Sequence, residues 1–155
     1  SVDILENENA KSLSDRLSEL AAEKILINIK NILQQKANFE EQDSSTATYA
    51  KKIKKIEGKI NWNNGADEIL AKINGLYPNP GAWFNFDDNR YKILRATLSK
   101  ISTKPGEIID DELTISCGSK SIKVIEIQRE GKKAQTSKDF LLGSKLKKGI
   151  VLKND

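Results

Sequence analysis

The sequence predicts an α+β fold: an N-terminal amphipathic helix and a polar linker, then a small antiparallel β-barrel with one inserted and one terminal helix. Three observations predict it. Apolar residues recur at spacings of three and four from Leu13 to Leu33. Between Ala82 and Gln128, short apolar or alternating segments are separated by closely spaced turn residues. One further helical pattern precedes these segments and another follows them.

Taken in order, Ser12-x-x-Asp15 supplies a cap and a first-turn acid. Leu13, Leu17, Leu20, Ala21, Ile25, Ile29, Ile32 and Leu33 then form one helical stripe running to about Gln35. Ile25-Leu26-Ile27 adds apolar surface beyond the stripe, so this helix is expected to lie against something larger, as the outer helix of a preceding domain. Residues 1–35 are assigned to that remnant. Periodicity then fails in the polar stretch Lys36–Thr48, and residues 36–58 read as a linker. Its second half, Lys51-Lys52-Ile53-Lys54-Lys55, is a dense cationic run that reads as a mobile arm. Residues 59–155 are the barrel domain.

Within it, Lys59–Trp62 is extended, and Asn64-x-x-Asp67 opens a helix with Ile69, Leu70, Ile73 and Leu76 on one face. That helix ends at Gly75–Leu76, because Pro78-Asn79-Pro80-Gly81 fixes φ and cannot continue it. Ala82–Phe86 is an aromatic strand, Asp87–Asn89 a tight turn, and Arg90–Thr97 a second strand bearing cations. Pro105-Gly106 turns the chain into Glu107-Ile108-Ile109. Leu113–Cys117 and Ile122–Gln128 alternate, with a change of step between Val124 and Ile125 that marks a bulge. Thr136-x-x-Asp139, or Ser137, starts a final helix closed by Gly143.

Composition narrows the chemistry. The 155 residues are 37% hydrophobic and 31% charged, values of an ordered domain. No apolar run is long enough to span a membrane, and Ser1–Ala10 lacks the form of a signal peptide. With no His and one Cys, zinc and haem sites are disfavoured, as are Ser-His-Asp and Cys-His catalysis; Cys117 reads as a small buried side chain. A chain with no methionine that begins at Ser1 is expected to be a piece of something longer. The net charge of +4 hides a split. Residues 1–48 hold 5 Lys+Arg against 9 Asp+Glu, and the remainder 21 against 13, which points the second part toward an anionic partner. Asp87-Asp88 and Asp110-Asp111-Glu112 fall in turns, where Asp serves its own backbone, so neither is assigned a metal or catalysis.

Four stretches, in order, resemble the C-terminal region of methionyl-tRNA formyltransferases. Lys59-Ile60-Asn61-Trp62 is similar to the family's short Ile-Asp-Trp segment. Pro78–Trp83, followed by Lys92-Ile93-Leu94-Arg95-Ala96, is similar to its Pro-x-Pro-Gly corner and basic strand. Pro105-Gly106-Glu107-Ile108 looks like its Pro-Gly-x-Ile turn. Gln128-Arg129-Glu130-Gly131-Lys132-Lys133 and Asp139–Gly143 look like its Gln-x-x-Gly-Lys-Lys element and closing helix. Ser12–Leu33 looks like the last helix of the family's catalytic domain. Asn74, Tyr77 and Arg129 depart from the family's usual Arg, Asn or Asp, and Pro.

The resemblance implies an OB-like barrel and a cytoplasmic parent enzyme that moves a formyl group from 10-formyltetrahydrofolate to initiator methionyl-tRNA. The family's catalytic Asn, His and Asp would precede Ser1, so this chain alone is expected to bind no cofactor and to be inactive. It is expected to be a monomer that holds tRNA through a basic face. The candidate contacts are Lys51, Lys52, Lys54, Lys55 and Lys59 on the linker, Lys92 and Arg95 on the hairpin, Lys132 and Lys133 after the last strand, and Lys145, Lys147 and Lys148 near the end. They would meet phosphates and position the RNA without reading bases. Phe84 and Phe86 fall on one strand face and are assigned to the core, with Trp83 on the other. Two alternatives keep a place: a formyltransferase domain serving another amine, on a nucleotide sugar or folate, and a free-standing OB-like nucleic-acid binder.

Overall fold

The computed structural model describes residues 2–154. A long helix, α1 (Ala10–Leu33), precedes the tether, in which two short 3-10 turns (Ser44–Thr46 and Lys55–Gly58) punctuate extended chain. Then follow α2 (Ala66–Gly75), β1 (Ala82–Phe86), β2 (Asn89–Ser99), β3 (Thr114–Ser116), β4 (Ser121–Arg129), β5 (Gln135–Thr136) and α3 (Ser137–Gly143). Among the described residues no helix is long and apolar enough to cross a membrane.

α1 begins three residues before the position expected from Ser12. Asn9 is the cap: its Oδ1 accepts from Ser12 N at 3.0 Å, while Asn9 N donates to Ser12 Oγ at 3.1 Å. Ser12 thus closes a reciprocal box from inside the first turn, satisfying two backbone donors at once. At the far end Gln35 takes a left-handed φ of 57°, and Lys36 N reaches back to Asn31 O at 2.8 Å, which stops the helix at Leu33. No residue of α1 is buried.

All five strands pair antiparallel in the order β1-β2-β4-β3, with β5 on β4. β2 runs along one edge of β4, and β3 and β5 share the opposite edge at its two ends. The sheet is open, and strand pairing does not close the expected barrel. β3 is shorter than the alternating pattern around it because Leu113 has a φ of 64°, outside the strand region. β5, absent from the sequence reading, is two exposed residues long and carries no apolar alternation.

The hairpin matches its sequence pattern closely. Asp87 and Asp88 both have positive φ (50° and 57°), giving the two-residue turn whose twist suits paired strands. The step change at Val124–Ile125 is a bulge, matched by one at Leu94 on β2. In β2 the core residues are Tyr91, Ile93 and then Ala96; in β4 they are Ile122, Val124 and then Ile127. The paired irregularities keep Arg95 and its partner Glu126 out of the core.

α2 packs Ile69 and Ile73 into the core, and its first N–H, from Ala66, bonds Ser119 O at 3.0 Å. Gly65 rather than Asn64 is its cap; the Asn64 amide bonds the Glu68 carboxylate instead. A chain of aromatics links the layers. Trp62, Phe84, Tyr91 and Phe140 meet in sequence with ring centroids 5.6, 5.6 and 5.7 Å apart. Phe84 and Trp62 are fully buried, and Phe86 packs partly buried at the core's edge.

Candidate nucleic-acid interface

Alternation turns Trp83 away from the core that holds Phe84, onto the outer face of the hairpin. A large ring there needs cover, and its N–H needs an acceptor. The end of the tether supplies both. Trp83 Nε1 donates to Lys55 O at 2.8 Å, and Ile60 N donates to Trp83 O at 2.8 Å. Gly58 makes the close approach possible, since a Cβ there would sit 2.2 Å from Gly81 O. The lysine run is therefore not free at its C-terminal end; it is pinned to the sheet. Trp83, left 6% exposed, offers no open face for a base.

Cations gather around this ring. The Arg90 guanidinium lies 4.3 Å from the ring centroid and Lys59 Nζ 5.9 Å from it. Lys92 is Trp83's cross-strand partner. Arg90 and Lys92, together with Lys52, Lys55, Pro80 and Gln128, line a groove of about 570 Å³ between tether and hairpin. Its one acid is Glu130, whose carboxylate stands 3.7 Å from Arg90 Nη1.

A second groove, about 540 Å³, lies between the hairpin turn, the β4–β5 turn and α3, and is lined by Arg129, Lys132, Lys133 and Lys145. Its charge is partly answered from within. Lys145 pairs with Asp87 at 2.7 Å, an interaction that lowers the Asp87 pKa and raises that of Lys145. Arg129 bonds Asn89 Oδ1 at 2.8 and 3.1 Å. Both grooves borrow residues from the turn that follows β4.

The twelve cations expected to act together thus fall into groups. Lys52, Lys55, Lys59 and Lys92 surround Trp83, whereas Lys132, Lys133 and Lys145 line the second groove. Arg95 lies apart, beside Glu126 and Asp139. Lys51, Lys54 and Lys148 are exposed on the chain outside both grooves, and Lys147 bonds Leu141 O at 3.0 Å. Arg90 is the residue the sequence reading missed. The signal was present: a turn at Asp87–Asp88 pairs Trp83 with Lys92 and Asn85 with Arg90, placing Arg90 diagonal to the indole. The acids in the turns do what turn acids do. Asp110 Oδ1 accepts from the N–H groups of Glu112 and Thr114, both at 2.9 Å.

The chain is thus an open antiparallel sheet with a covering helix and a cation-lined, tether-capped hairpin, and comparison with known proteins gives its family. The family model described as "Formyl transferase, C-terminal domain" matches residues 52–145, and the chain belongs to that family. Among individual proteins, it is 53% identical over 154 residues to the methionyl-tRNA formyltransferase of Pelagibacter ubique (strain HTCC1062), covering 99% of this chain and 50% of the relative. It is 41% identical over 150 residues to that of Bradyrhizobium diazoefficiens, covering 94% and 48%. The chain spans about half the length of the curated relatives it matches. Among solved structures, a variant of HypX from Aquifex aeolicus shares the fold with a TM-score of 0.70 at 17% identity, over 90% of this chain and 26% of that one. HypX in complex with tetrahydrofolic acid superposes with a TM-score of 0.68 at 15% identity, over the same shares.

Proposed function

We propose that this chain is the C-terminal part of a methionyl-tRNA formyltransferase and that its own task is to hold the tRNA. The observation that carries the reading is the groove between tether and hairpin, lined by Lys52, Lys55, Arg90 and Lys92 beside one buried indole, with Lys59 Nζ 5.9 Å from the same ring. Cations on a fixed surface suit phosphate, because each neutralised phosphate releases condensed counterions. In this reading residues 59–155 are the tRNA-holding domain, residues 36–58 the linker, and residues 1–35 an outer helix of the catalytic domain. The exposed apolar side of α1 supports that last assignment.

The whole enzyme would act in the cytoplasm as a monomer, passing a formyl group from 10-formyltetrahydrofolate to the amino group of initiator methionyl-tRNA. The attacking amine must be neutral and the passing oxyanion needs donors. This chain has no histidine and supplies neither function; it would bind no folate and catalyse nothing alone. An OB-like barrel is the finer reading of its fold. Its support is the extended chain beyond the sheet edges: Glu107 bridges Val151, Lys59 bridges Trp83, and Trp62 N bonds Asn154 Oδ1 at 2.7 Å.

Binding of initiator tRNA to this chain, followed by fluorescence anisotropy at several salt concentrations, tests the proposal. Affinity is expected to fall steeply between about 50 and 200 mM salt, with a log–log slope of roughly −0.7 to −0.9 per phosphate neutralised. Binding indifferent to salt, or none at the low end, would remove the reading.

A further inference from the structure

We infer that Arg90 is the fixed phosphate-gripping residue of the tether–hairpin groove, with Trp83 as its platform and Glu130 as a placeholder for the phosphate. The inference rests on the RNA-holding reading above and adds which residue grips and what occupies its place before RNA arrives.

Arg90 is unlike the lysines around it. Its guanidinium carbon lies 4.3 Å from the indole centroid, so the ring restricts the charge before any ligand comes. Its Nε is covered by protein and has no hydrogen-bond partner. The acid beside it, Glu130, is 3.7 Å away, near enough to neutralise but too far to accept a hydrogen bond. The group is therefore held, partly desolvated and under-satisfied. A phosphate oxygen offers what Glu130 does not, a short charge-assisted bond to a planar donor. Displacing Glu130 costs little, because its side chain is 67% exposed and surface pairs of this kind are weak. The lysines at the groove's rim add diffuse attraction; Arg90 supplies a fixed point.

The test is a double-mutant cycle on the whole chain, with initiator tRNA as ligand and folding checked by thermal denaturation. Arg90→Gln is expected to weaken binding about tenfold, the loss of one charged hydrogen bond, and to shallow the salt slope by about one phosphate. Arg90→Lys, which keeps the charge but not the plane, should recover only part of that loss. Glu130→Gln should tighten binding a few-fold in the native background and have no effect in the Arg90→Gln background.

Equal gains from Glu130→Gln in both backgrounds would show a general charge effect and overturn the placeholder. Unchanged binding in Arg90→Gln, with salt dependence intact, would overturn the anchor while leaving the RNA reading in place. A titration with inorganic pyrophosphate, read from the Arg90 Nε–H and Trp83 Nε1–H resonances by NMR, separates the two ideas from the other side. Shifts of both resonances that Arg90→Gln abolishes for the indole support the site even without tRNA affinity; unmoved resonances overturn it.

Discussion

α1 and the β2–β4 ladder contain the same kinds of apolar residue and use them in opposite ways. In the ladder, Ile93, Ile122, Val124 and Ile127 are sealed under α2 and the aromatic chain. In α1, Leu26 and Ile27 are 73% and 69% exposed, and nothing along 24 residues is buried. One region is stabilised by what it removes from water. The other is held by its caps, by Lys11–Asp15 at 2.5 Å, and by Arg16 bridging back to Glu8 at 2.8 Å. Helices of this length draw most of their stability from a packed face, and among the described residues α1 has none.

The contrast should appear most strongly in paired truncations. Ile115→Ala, in the sealed half, is expected to cost about 3–4 kcal/mol in chemical denaturation followed by tryptophan fluorescence, because the emptied volume cannot collapse. Leu26→Ala should move the same transition by less than about 0.5 kcal/mol. A large effect at Leu26 would mean that α1 is docked in solution.

Cys117 gives a chemical version of the same contrast. Burial pushes its thiol up to about 11, from 9.0 when free. Between those values the unfolded chain loses a proton that the folded chain keeps, so stability falls as pH rises from 9.0 to about 11. The loss is about 2–3 kcal/mol and should be missing from the corresponding pH series of Cys117→Ala. A thiol reagent at neutral pH should label Cys117 only at the rate of unfolding; immediate labelling would break the picture of a sealed sheet.

The smallest effect belongs to the cap. Asn9→Ala removes one side of the box with Ser12 and should lower α1 helicity by circular dichroism, at a cost of about 1 kcal/mol to the helix. The sheet's melting transition should not follow. Were both signals to fall together, the two regions would form one cooperative unit.

Much of this division was legible in the sequence, and the reasons differ by element. β1 carries the predicted bounds because a Pro-Gly corner and a double-Asp turn bracket it. The bulge was visible as a break in alternation. α1's start was misplaced because Ser12 satisfies the capping pattern from within the helix, three residues past the residue that caps it. The core was legible through period, whereas the grooves were not. They depend on which cations a register brings beside Trp83, and a count of lysines is blind to that. Lys145 illustrates the limit: its pairing with Asp87, 58 residues away along the chain, could not be read from its charge.

The twin bulges carry a consequence for how the β2–β4 pair tolerates change in length. Loss of Leu94 alone would restore strict alternation to β2 while β4 kept its extra residue, and loss of Ile125 alone would do the reverse; in either case the pairing beyond would slip by one residue. Each strand's surplus residue is the other's correction. Insertions and deletions here must therefore come in matched pairs, and the two strands keep a common frame although about thirty residues separate their irregularities along the chain.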